Sequence, residues 1–244
     1  MALSGTSERK LALVIGINDY PDDSKLNYCI NDATDMGNKL KSIKFDITTG
    51  TDCKKDEFNH LIEKFAERIQ SNDLILFYFA GHGNQFEDKN YLLPAGYNYD
   101  HSTSERKYIK ENSICAQYVL HKITAKRPQV TIFILDCCRF YVKMRSIKSH
   151  KGLAAIKGPP ESLIIFSCGF DQGTVDETQN ERNGIFTEHL LNHITMPDQD
   201  VETILQNVAR DIKLKGFPLP WRASCLTEKV YLAAESLEGK SIYS

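Results

Sequence analysis

The sequence predicts an α/β domain with a six-stranded, mostly parallel sheet and helices on both faces. Three observations carry this expectation. Short apolar runs alternate with stretches of helical period, the pattern of βαβ units. Several of those runs, such as LALVIGI and LILFYFA, are apolar throughout, as strands covered on both faces require. The length of 244 residues suits one α/β domain, a class that runs to about 250 residues. Residues 10–235 are expected to form the domain, with 1–9 a flexible leading segment and 236–244 a short polar tail.

In chain order, the first strand is expected over Lys10 to Ile17, followed by a helix whose stripe is Ala33, Met36, Leu40 and Ile43. A second strand covers Phe45 to Thr49. Phe58, Leu61, Ile62, Phe65 and Ile69 then recur at helical spacing and predict a one-faced helix. The third strand is Asp73 to Phe79. Cys115, Val119 and Ile123 mark a weaker helical stripe before the fourth strand, Val130 to Leu135. Ser162 to Ser167 is the fifth strand, and Phe186 and Leu190 begin a helix after it. Val201, Ile204, Leu205, Val208 and Ile212 give another one-faced helix, and Lys229 to Leu232 is read as the sixth strand.

Composition narrows the function classes. The longest apolar runs are seven residues, against roughly 18 for a membrane span, so no bilayer crossing is expected. The first residues, MALSGTSERK, lack the apolar core of a secretory signal, and a cytoplasmic location is expected. Seven cysteines, an odd number without zinc-type CxxC pairs, suit a reducing compartment. A net charge of −2 gives no overall field toward nucleic acid or anionic lipid, so neither is expected as a partner. Charge is concentrated locally instead. Arg139 to Pro160 carries six basic residues and no acid, whereas Asp171 to Glu181 carries four acids and no base. Loops of this length in a compact domain are usually functional or disordered.

In parallel α/β sheets the site lies outside the carboxyl ends of the strands. The third strand runs into Ala80-Gly81-His82-Gly83 and the fourth into Asp136-Cys137-Cys138-Arg139, so His82 and a thiol face one another if those strands are neighbours. Such a pair suits acyl transfer: a thiolate attacks, and an imidazole takes the thiol proton or protonates the leaving amine. The backbone N–H groups of Gly83 and Cys138 would receive the charge that develops on the carbonyl oxygen.

These blocks, with LALVIGINDY, IIFSCGFDQGTVDE and NGIFTEHLL, resemble the caspase-like cysteine peptidases, and their paracaspase and metacaspase branches more than the animal caspases. The resemblance implies a caspase-hemoglobinase fold. Caspases carry Q-A-C-[RQG]-G with a histidine about 50 residues upstream. Here His82 precedes Cys138 by 56 residues, and Asp136 stands where caspases carry Gln. That Asp-x-Cys form identifies Cys138, not Cys137, as the nucleophile. By the same resemblance Asp176 replaces a caspase pocket arginine, and Asp32 in CINDATDM matches an acid of the paracaspase pocket. Three carboxylates in place of cations imply substrates with a basic residue before the scissile bond. A buried guanidinium or ammonium needs paired anions, and Arg is favoured over Lys because its planar fork bonds several carboxylates at once.

The expected function is therefore a cysteine endopeptidase acting on proteins or peptides after basic residues. Self-processing at Lys143, Arg145, Lys148, Lys151 or Lys157 is left open, as are a catalytically silent scaffold and an Asp-specific caspase. No cofactor or metal is expected. The i, i+4 pair His189 and His193 lacks the zincin glutamate, and the acidic loop lacks an EF-hand pattern, with calcium activation left open. Trp221 is read as packing. The family likeness further implies substrate pairing near Ser167 to Gly169 and a homodimer through the final edge strand.

Overall fold

The computed structural model describes residues 9–21, 24–99, 101–139, 153–168 and 179–233, with the backbone alone at 138 and 139. In chain order the elements are β1 (Lys10–Gly16), α1 (Cys29–Ser42), β2 (Phe45–Thr51), α2 (Lys55–Arg68), β3 (Leu74–Phe86), β4 (Lys89–Leu92) and α3 (Glu105–Asn112). They continue with β5 (Ile114–Cys115), α4 (Ala116–Thr124), β6 (Val130–Arg139), β7 (Ser162–Phe166), α5 (Ile185–His193), α6 (Val201–Leu214) and β8 (Trp221–Ser224).

The main path of the sheet runs β2-β1-β3-β6-β7-β8. All its neighbours are parallel except β8, which is antiparallel to β7. Leu11 to Ile15 and Ile75 to Ala80 are buried without a break, as doubly covered strands must be. Successive residues of β3 show which helix covers which face. Tyr78 meets Thr187 of α5, whereas Phe79 stacks on Phe58 of α2 at 5.8 Å, so α5 and α2 lie on opposite sides. α1 packs beside α5, α6 packs on α5, and α4 packs beside α2. The start of α1 comes close to the end of β1 because residue 16 is glycine: a Cβ there would lie 2.2 Å from the Cys29 carbonyl oxygen.

Five of the six expected strands are β1, β2, β3, β6 and β7. The sixth is not Lys229 to Leu232. Among the described residues that stretch makes only an isolated bridge, Asp200 to Tyr231, while Leu232 O accepts from Lys10 Nζ at 2.9 Å. The edge strand is β8, whose Trp221 ring lies 5.5 Å from Phe166. Pro218 and Pro220 made this region read as a loop, yet proline ahead of an edge strand is compatible with pairing. β3 also runs past its parallel partners to Phe86 and pairs antiparallel with β4, which pairs with β5, so among the described residues the sheet has eight strands rather than the six expected. Helix α3 escaped the periodicity reading because Ile109 is its one buried residue.

The end of the basic loop is fastened to this branch of the sheet. Asn90, fully buried in β4, donates from Nδ2 to the Ala154 carbonyl at 2.8 Å and accepts the Ala154 amide on Oδ1 at 2.6 Å. Leu153 and Ile156 are buried on either side of that clamp. Lys157 is exposed, but its neighbour Gly158 packs on Ser162. Lys143, Arg145, Lys148 and Lys151 lie outside the described residues.

Candidate active site

Strands β3 and β6 are adjacent, and their register continues beyond the core of the sheet. Ala80 pairs with Asp136, Gly81 with Cys137, His82 with Cys138 and Gly83 with Arg139. The two motifs that the sequence separates by 56 residues therefore end side by side, with the backbone of residue 138 next to His82. The Cys138 thiol lies outside the described atoms. Cys137 is buried on the Gly83 side, where a Cβ at residue 83 would lie 3.0 Å from Cys137 Cβ and 3.3 Å from a Leu153 methyl. Only glycine fits there without displacing its neighbours.

His82 is held from the loop between β1 and α1. The Ser24 carbonyl oxygen lies 2.6 Å from His82 Nε2. A carbonyl can only accept, so Nε2 carries the proton in this bond and Nδ1 is the nitrogen suited to exchange one. Tyr20 secures the backbone beneath. The β1 to β3 ladder ends with Ile17 N–H donating to Ala80 O at 2.9 Å, after which β1 turns away. His82 N–H then donates to the Tyr20 hydroxyl at 2.9 Å, and that hydroxyl donates to Leu93 O at 2.9 Å. One phenol thereby satisfies two buried backbone groups where the ladder stops. Its ring also lies 4.3 Å from the imidazole, tilted by 54°.

Asp32 and Asp136 converge on the first turn of α5. Asp32 Oδ1 accepts the Gly184 amide at 3.0 Å, and Asp136 Oδ2 accepts the Thr187 hydroxyl at 2.6 Å. Both carboxylates are buried, at 2% and 7% exposure. Each needs donors, and the positive end of a helix supplies both amide protons and a favourable field. Between them stands Tyr78, whose phenol is pushed well up by burial and by the charges of Asp136 and Asp32. The chain entering α5 is pinned to α1: Arg182 donates to Asp35 through Nε at 2.7 Å and Nη2 at 2.8 Å, and Asn183 Nδ2 donates to Asp35 at 3.1 Å. The Arg182 hydrogen bonds hold the Asp35 carboxyl below its ordinary value of 3.8.

Asp176 and Gly169 lie outside the described residues. Ser167 continues β7 by donating its amide to Leu135 O at 3.1 Å, and its buried hydroxyl has no hydrogen-bond partner among the described residues. Among the described residues no group of three or more His, Cys, Asp and Glu is arranged to hold a metal ion, and no helix is long and apolar enough to cross a membrane. His193 pairs with Asp211 at 2.7 Å, while His189 is buried with neither ring nitrogen hydrogen-bonded among the described residues.

Sequence reading missed Tyr20, Ser24, Tyr78 and Thr187. Tyr78 sits inside an apolar run and Thr187 inside an amphipathic stripe, where each reads as core. Ser24 acts through its carbonyl, which carries no signal of residue type. Tyr20 had a usable signal, as the aromatic residue that closes the LALVIGINDY block.

Comparison with known proteins gives the chain a family. A family profile described as the Caspase domain (Peptidase_C14) matches residues 9–231. The chain is 26% identical over 206 residues to Mucosa-associated lymphoid tissue lymphoma translocation protein 1 of Homo sapiens, covering 83% of this chain and 24% of that protein. It is 33% identical over 95 residues to Metacaspase-1 of Pyricularia oryzae, covering 34% of this chain and 24% of that protein. The chain thus spans about a quarter of the length of these curated relatives. In structure it is similar to caspase-1 from Spodoptera frugiperda, with a TM-score of 0.69 at 16% identity over 94% of this chain and 91% of that one. At that identity the likeness is one of fold. The caspase-like α/β architecture and the likeness to the paracaspase and metacaspase branches both hold, and a profile matching nearly the whole described chain makes this protein a member of the caspase-domain family of cysteine peptidases.

Proposed function

We propose that the protein is a cysteine endopeptidase that cuts after basic residues, Arg in preference to Lys. The observation that carries this reading is the pairing of His82 with residue 138 in register, next to two buried carboxylates bonded to the first turn of α5. His82 takes the proton of the Cys138 thiol, and the resulting thiolate attacks the carbonyl carbon before the scissile bond. A C–S bond forms and the carbonyl electron pair moves to oxygen, where the Gly83 and Cys138 amides receive it. The C–N bond then breaks as His82 delivers a proton to the departing amine. Water hydrolyses the thioester, releasing the acid and restoring the thiol. Asp32, Asp136 and Asp176 together hold the guanidinium or ammonium, which would be costly to bury unpaired. The enzyme works in the cytoplasm, where the thiol stays reduced.

The basic loop is its own candidate substrate. Cleavage among Lys143, Arg145, Lys148 and Lys151 would leave both ends attached to the fold, because Asn90 grips Ala154 downstream. Lys157 is the least suited, since the clamp and Gly158 hold the chain on both sides of it.

The test is labelling by a thiol-reactive probe together with the integrity of the chain. Wild type should be labelled selectively at Cys138, with labelling lost in His82→Ala, and any splitting in the 139–160 loop should vanish in Cys138→Ala. Absence of His82-dependent labelling would leave a silent scaffold.

A further inference from the structure

One acid of the proposed pocket, Asp136, is held by hydroxyls that the catalytic step does not use. Tyr78 is fully buried in β3, and its phenol oxygen lies 2.6 Å from Thr187 Oγ1. Thr187, also fully buried, donates to Asp136 Oδ2 at 2.6 Å. Proton counting gives the relay its direction. Each hydroxyl has one proton to give and an ionised carboxylate has none. Thr187 uses its proton on Asp136, so Tyr78 donates to Thr187, and the 3.5 Å approach of the phenol to Asp136 Oδ2 is a longer secondary contact. Donors in series polarise one another in a low-dielectric interior, and this series ends on the carboxylate. Tyr78 lies four residues before His82 on the same strand, roughly 13 Å from the reacting end. The relay ends on Asp136, one of the proposed pocket carboxylates.

We propose that Thr187, backed by Tyr78, is a specificity-positioning residue: its hydroxyl fixes Asp136 and so sets how strongly the pocket prefers a cationic side chain over a neutral one of the same shape. The inference rests on the basic-residue pocket proposed above. A hydroxyl that merely fills space or satisfies a buried group would, once removed, weaken every substrate alike. One that aims a charge would weaken the cationic substrate alone.

Matched reporter peptides carrying Arg or its neutral isostere citrulline before the cut separate these cases. They are compared in wild type, Thr187→Val and Thr187→Ser, with iodoacetamide labelling of Cys138 as the check on folding and thiol reactivity. Thr187→Val should lower the Arg-to-citrulline ratio of kcat/KM about tenfold, as loss of a hydrogen bond to a charged group does. The change should fall on KM for the Arg peptide rather than on kcat, and Thr187→Ser should restore most of the ratio. An unchanged ratio, or a parallel fall for both peptides, overturns the proposal. If Thr187→Val does not fold, Tyr78→Phe replaces it, with an expected fall of about threefold in the same ratio, and no change again overturns it. A wild type with no preference for Arg over citrulline defeats the pocket reading and this inference together. A wild-type preference that both variants keep defeats this inference alone.

Discussion

The two ends of the proposed site are supported by opposite kinds of group. His82 rests on neutral atoms: a carbonyl oxygen from Ser24 at its ring and the Tyr20 phenol at its backbone. Asp32 and Asp136 rest on donors, an amide at the start of α5 and the Thr187 hydroxyl. The proposed function accounts for the difference. A neutral carbonyl fixes the tautomer and orientation of an imidazole without adding the attraction of a carboxylate for its cationic form. A group that recognises a cation must keep its own charge between turnovers, when no cation is present, and donors from a helix terminus provide that. In the proposed enzyme the catalytic end is thus oriented by neutral acceptors, and the recognition end by protons aimed at oxygen.

That contrast can be broken from either side. The largest effect is expected from His82→Ala, which should lower kcat about 10³-fold while leaving the Arg-to-citrulline ratio intact. A loss of that ratio in step with kcat would mean that the two ends are not separable. Asp136→Asn should do the reverse, lowering kcat/KM for the Arg peptide about 30-fold through KM, because a buried cation would lose one of its paired charges. Steady-state kinetics on both peptides distinguish the two patterns.

Tyr20→Phe sharpens the catalytic side. It keeps the ring against His82 but leaves His82 N–H and Leu93 C=O unpaired in a buried site, at a cost of about 2 kcal/mol in denaturant unfolding. A fall of about tenfold in kcat, from the misplaced imidazole, is expected without change in substrate preference. The smallest effect belongs to Asp35. Its carboxyl lies below the ordinary 3.8 because Arg182 bonds to it, so the pairing contributes in full above that value and fades as pH falls beneath it. Arg182 is more than half exposed, and solvent keeps the contribution small. In Asp35→Asn, unfolding scans should show a shallower loss of stability than wild type as pH drops from about 4 to 2.

How far the sequence discloses this arrangement depends on which atoms do the work. Strands buried on both faces, such as Leu11 to Ile15 and Ile75 to Ala80, announce themselves by unbroken apolarity, and the motifs that end β3 and β6 are legible because side chains carry them. β8 is harder to see. It is short, half-exposed and preceded by Pro220, so neither alternation nor an apolar run marks it, whereas Lys229 to Leu232 alternates and yet only flanks the start of α6. In the site, Asp32 and Asp136 are visible as acids in family motifs, but the atoms that hold them and His82 are a carbonyl, an amide and hydroxyls within apolar stretches. Backbone groups have no residue signature, and Tyr78 in LILFYF is indistinguishable from packing until Thr187 is brought beside it by the fold.

The most direct test of the account is turnover of reporter peptides that differ only in the residue before the cut, Arg, Lys or Asp, by wild type and by Cys138→Ala. The account predicts cleavage of the Arg and Lys peptides, Arg faster, none of the Asp peptide, and none by Cys138→Ala. Preference for Asp, or turnover that survives loss of the thiol, would contradict it.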